Sequence, residues 1–126
     1  MKKNLFKAMT FVLLLVSLFV LASCSFNAPT VDEAKTNLEA AGYTVTVRDG
    51  SEYANSDDCN WPISGSELKY YLYAKKESDE IHMFYFYSIS DADFNKDFIN
   101  YSGLLSGQIN ELVYFATKQA RKDAQL

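Results

Sequence analysis

Basic residues, glycines and histidine are all scarce in this sequence, and each scarcity closes a route to function. Twelve Lys and Arg stand against sixteen Asp and Glu, a net charge of −4. A chain that grips nucleic acid needs a clustered basic surface, and none is visible. Five glycines are scattered singly, so no phosphate-cradling or dinucleotide-binding loop exists. No internal repeat appears. A single histidine, His82, gives acid–base chemistry one candidate. It alternates with Phe84 and Phe86 along an apolar stretch, where no orienting partner is evident.

Long hydrophobic runs are equally scarce. There is one, and it opens the chain. Lys2, Lys3 and Lys7 precede Phe11–Ala22, in which Ser17 is the only polar residue. A basic segment, an apolar segment and then small residues is the order of a secretory signal peptide. A run of twelve residues falls short of the roughly 20 that a bilayer-spanning helix requires. A buried core helix is a poor alternative, because the run is apolar on every side and so small a chain has little to cover it.

The run closes on Leu21-Ala22-Ser23-Cys24. This stretch resembles the lipobox of bacterial lipoproteins: Leu, two small residues and then Cys. The resemblance covers the first 24 residues. It implies cleavage between Ser23 and Cys24 and a diacylglyceryl group on the Cys24 thiol, often with a further acyl chain such as palmitate on the new N-terminus. It thus implies a protein held to the bacterial cell membrane, with its domain on the extracytoplasmic side of the envelope. Two or more acyl chains hold firmly where one holds only marginally.

That expectation divides the chain into a signal peptide (1–23), a short tether (24–29) and one small domain (30–126). Without Lys2, Lys3 and Lys7, nine cations face sixteen acids, a net charge of −7. Lipid rather than charge would then hold the protein to its membrane. Cys59 is left without a partner inside the chain, and Asp57 and Asp58 beside it repel the thiolate that a nucleophile requires. A free thiol or a bridge between two chains remains open. One available Cys and one His make no zinc site, and Asn55–Asn60 lacks the spacing of a calcium loop. Neither metal nor cofactor is expected.

Thr30-Val31-Asp32-Glu33 reads as a capping box, and Val31, Ala34, Leu38 and Ala41 form a helical stripe that Gly42 ends. Tyr43–Arg48 alternates as a strand stopped by Asp49-Gly50. Ser51–Glu67 is a polar connection with Trp61-Pro62-Ile63 as an apolar island, long enough to be functional or to be ordered by Trp61. Leu68–Lys75 and Ile81–Ser88 form an antiparallel hairpin. Alternation puts Leu68, Tyr70, Leu72 and Ala74 on one face and Tyr71 and Tyr73 on the other. A second helix is predicted from Ser90-Asp91-Ala92-Asp93 with Phe94, Phe98 and Tyr101 as its stripe. A last strand is predicted at Ile109–Phe115 and a terminal helix at Thr117–Ala124. The order α-β-β-β-α-β-α points to an α+β fold, a mostly antiparallel sheet of about four strands with helices packed on one face. In element order it is broadly similar to peptidase-propeptide-like and β-lactamase-inhibitor-like modules, a fold-level analogy that assigns no residues.

What the domain has in excess is aromatic: nine Tyr, nine Phe and one Trp. An exposed ring surface of Tyr71, Tyr73 and Trp61 would suit a protein or glycan partner, while the same rings paired across strands would only stabilise a small sheet. Three functional expectations follow. One is a non-enzymatic interaction module at the envelope; another is a small envelope hydrolase or thiol enzyme using Cys59 and His82; the third is an inhibitory module of the peptidase- or β-lactamase-inhibitor-like kind.

Overall fold

The computed structural model describes residues 27–126. The signal peptide, the cleavage point at Ser23 and the lipid site at Cys24 lie outside the described residues.

Thr30 starts helix α1 (Val31–Ala40) as its side chain accepts the Glu33 N–H at 3.2 Å. The helix buries Ala34 and Leu38 and ends where Gly42 takes φ +95°. There the Gly42 and Tyr43 amides donate back to the Glu39 and Leu38 carbonyls, a closure that depends on the left-handed glycine. Strand β1 (Thr44–Asp49) follows. Asp49 does more than stop it: its carboxylate accepts the Glu52 N–H at 2.8 Å and caps a one-turn helix, α2 (Gly50–Ala54). The expected polar connection therefore begins with a helix, one too short to carry an apolar stripe. Gly50 is fixed by space, since a Cβ there would sit 2.0 Å from the Leu68 carbonyl oxygen.

Strands β2 (Leu68–Lys76) and β3 (Asp79–Phe86) form the expected hairpin. Helix α3 (Ile89–Lys96) is capped two residues earlier than predicted: Ser88, not Ser90, accepts the Asp91 N–H. The predicted last strand is half of a second hairpin. Asn110 adopts φ 53° and turns β4 (Leu105–Ile109) into β5 (Leu112–Ala116). Thr117 caps the terminal helix α4 (Lys118–Asp123).

The fold is α+β, a five-stranded antiparallel sheet in the order β1-β2-β3-β5-β4. Helices lie over both of its faces, where one covered face was expected. On one side α1 and α4 bring Ala34, Leu38, Ala120 and Ala124 onto Leu72, Met83 and Leu112. On the other, α2, the following loop and α3 bring Tyr53, Ile63 and Ala92 onto Tyr71, Phe84 and Phe115. Strands β3 and β5 are therefore buried on both sides, and β5 is apolar at every position. A register shift between Leu68 and Tyr70 sends Leu68 to the same side as Tyr71, overturning the face that strict alternation gave it.

Candidate functional site: an aromatic surface above a closed histidine

Tyr53 organises the loop after α2. Its buried hydroxyl accepts from the Asn60 and Trp61 amides and donates to the Trp61 carbonyl. Burial pushes this phenol up to about 12, so it stays protonated as a donor. The loop thus presents Trp61 to Phe98, and the two rings stack with centroids 4.9 Å apart and planes 11° from parallel. Phe94, one helical turn earlier, meets Phe98 at 5.3 Å. Phe94 and Phe98 are 63% and 47% exposed. Large rings left in water side by side mark an interaction surface more strongly than scattered apolar residues do.

Sequence reasoning placed Phe94 and Phe98 in a core stripe. In α3 the inward residues are instead Ala92 and Asn95, and Asn95 is held by the Asp91 carbonyl and the Glu67 carboxylate. The legible signal was the i, i+4 spacing of the two phenylalanines, read with the wrong inward side.

Of the three residues expected at the interaction surface, only Trp61 stands in this patch. Tyr73 is half-buried. Tyr71 is 1% exposed, wedged against Tyr53 and Phe84. It cannot present its ring to a partner, because α2 and its loop cover that side of the sheet.

On the same side of the sheet as Trp61 lies His82, 7% exposed and stacked by two phenol rings. Tyr101 stacks on it at 3.9 Å and Tyr73 at 4.8 Å. Both ring nitrogens are engaged: Nδ1 lies 2.8 Å from the Tyr71 hydroxyl and Nε2 lies 3.1 Å from Glu80 Oε2. A carboxylate only accepts, so Nε2 carries the proton and the Tyr71 hydroxyl donates to Nδ1. Burial holds the imidazole below its ordinary value, against the opposing pull of the Glu80 carboxylate. Burial, first, pushes both Tyr71 and Tyr101 well above the ordinary phenol value.

Tyr101 differs from Tyr71 in one respect. Its hydroxyl is buried without a hydrogen-bond partner.

This geometry has a chemical consequence. A base for the Cys59 thiol needs a free ring nitrogen within hydrogen-bond reach, and both nitrogens of His82 are already committed. Cys59 itself is half-buried and packs at the margin of the Tyr53 side of the core. Arg48 pairs with Asp58 at 3.1 Å, which ties the acidic stretch of the loop to β1. Among the described residues no group of three or more His, Cys, Asp or Glu is arranged to hold a metal. Comparison with known proteins gives no match: no family model fits the chain, and neither a curated protein nor a solved structure is similar to it.

Proposed function

We propose that this chain is a lipid-anchored envelope protein whose domain is a non-enzymatic binding module. Its contact surface, on this reading, is the Trp61–Phe98–Phe94 patch, and its partner is another protein of the envelope. The observation that carries the reading is the exposure of two adjacent phenylalanines against the only tryptophan of the chain. A supporting one is orientation. Ala28, where the chain leads into the domain, packs with α1 and α4, whereas Trp61 packs on the opposite side of the sheet. The anchor would therefore join one face and leave the aromatic patch on the other, free to meet a partner. The engagement of both His82 nitrogens favours binding over thiol chemistry.

The test places a photo-crosslinking phenylalanine at position 94 in cells, with Lys122 on the opposite face as control. A discrete adduct at 94, absent at 122 and lost on Phe98→Ser, is expected. Identical patterns at both positions would end the binding reading. The anchor has a separate test: fatty-acid label should be incorporated by the full chain and lost on Cys24→Ala.

A further inference from the structure

A cleft that shares no residue with the patch is lined by a different set of tyrosines. It lies between the first turn of α1 and the adjoining end of the β2–β3 hairpin, with a volume of about 350 Å³, within the range that small ligands occupy. The register shift that sends Leu68 to the opposite side lies at this end of the hairpin. With Lys69 taken up by the bulge, Tyr70 pairs directly across from Tyr85, and the two rings share the cleft with Tyr87. The Tyr85 hydroxyl donates to the Pro29 carbonyl at 2.9 Å, locking one wall to the segment leading into α1. Tyr87 is 58% exposed, although its backbone is fixed by a hydrogen bond to the Glu67 carbonyl. The wall is therefore formed before any ligand arrives.

Two charges of opposite sign, Lys69 and Glu111, also line the cleft. Among the described residues neither has an ion-pair partner. The Lys69 ammonium lies 5.8 Å from the centre of the Tyr70 ring. A ligand for this site must present an apolar face to phenol rings while offering both acceptors to an ammonium and donors to a carboxylate, with no net charge of its own. A pyranose ring fits: its C–H face packs on aromatic rings, and its hydroxyls both donate and accept.

We propose that the Tyr70–Tyr85–Tyr87 cleft is a carbohydrate-binding site for a neutral saccharide. It stands independently of the protein-binding patch and of the lipid anchor.

The experiment titrates the full chain with three neutral probes, N,N′,N″-triacetylchitotriose, maltotriose and cellotriose, with glycerol as control, and follows tyrosine ring resonances by NMR. Saturable shifts for at least one trisaccharide and none for glycerol are expected. Tyr87→Ser should weaken that binding about tenfold, as loss of a central aromatic contact does, with the thermal midpoint unchanged because the ring is largely in water. Phe94→Ser should leave it untouched. Absence of saturable binding by all three sugars would overturn the proposal. So would binding that survives Tyr87→Ser, or binding lost in Phe94→Ser. If Tyr70→Ser unfolds the chain, Tyr87→Ser together with Lys69→Met still decides the matter, since both side chains lie at the surface.

Discussion

Tyr71 and Tyr101 sit on the same histidine, and removing one oxygen from each should change stability in opposite directions. The Tyr71 hydroxyl donates to His82 Nδ1 at 2.8 Å, so Tyr71→Phe strips a buried acceptor of its only proton donor. Leaving such a group unsatisfied costs about 1–3 kcal/mol. The Tyr101 hydroxyl has no partner, so in Tyr101→Phe the ring keeps its stack on His82 and loses only a desolvated polar atom. Stability should be unchanged or rise by up to about 1–2 kcal/mol. Urea unfolding followed by Trp61 fluorescence reads both, with slopes that should not move if the native surface is intact. For a domain of this size 1 kcal/mol corresponds to about 4–8 °C in Tm, so the two variants should separate clearly by calorimetry too. A Tyr101→Phe variant destabilised by more than about 1 kcal/mol would refute the reasoning. It would mean that the hydroxyl is bonded in solution, with the neighbouring Tyr71 oxygen the first suspect. A double Tyr→Phe variant then measures that coupling directly.

Two further outcomes follow from the same geometry. Because His82 titrates lower in the folded chain than unfolded, the unfolded chain takes up the proton first as pH falls. The contribution of His82 is therefore whole above its ordinary value near 6.5 and is lost as pH drops through the folded value. Urea midpoints should fall between pH 7.5 and 5.5, and less steeply in His82→Gln; an unchanged slope in that variant would assign the pH dependence elsewhere. Gly50→Ala drives a Cβ to 2.0 Å from the Leu68 carbonyl oxygen, and backbone cannot swing aside as a side chain does. Destabilisation at or above the usual 1–3 kcal/mol of overpacking is expected, and a midpoint within error of the parent would refute the close approach.

How much of this was legible in the sequence depended on which physical rule governed each stretch. Capping and periodicity served where an element was long enough to show them: Thr30 starts α1, Gly42 ends it, and the β2–β3 pairing lies where alternation put it. They failed where a single residue overrode the local pattern. Asn110 in the left-handed region cut one predicted strand into a hairpin, and in α3 the small Ala92 and the hydrogen-bonded Asn95, not the larger Phe94, take the inward face. Asp49 with Glu52 three residues on carries the capping pattern as well as the end of a strand, and the structure uses it for both. Nothing local announced that the second face of the sheet would also be covered. That depends on Tyr53 reaching from α2 to Tyr71 and Phe84, a contact distant in sequence, and it is what removes Tyr71 from any binding surface.

The bulge at Lys69 ties these outcomes together. Tyrosine brings a large apolar ring with a polar tip, so it is equally suited to a core and to a surface, and composition alone does not say which. In β2 the choice falls to position: the strand sends Tyr70 toward the cleft and Tyr71 toward Tyr53. One residue earlier the bulge brings Leu68 to the Tyr71 side, where it is fully buried, instead of leaving it to fill the space beside Tyr70. Had the pairing run without interruption, Leu68 would share the Tyr70 face. Alternation by itself separates Tyr70 from Tyr71, and cover decides what each becomes: Tyr53 closes over Tyr71, which with Tyr73 and Tyr101 surrounds His82, while Tyr70, Tyr85 and Tyr87 line an open cleft. The bulge adds that Leu68 goes to the covered side and does not stand beside Tyr70, a detail that hydrophobic alternation cannot express.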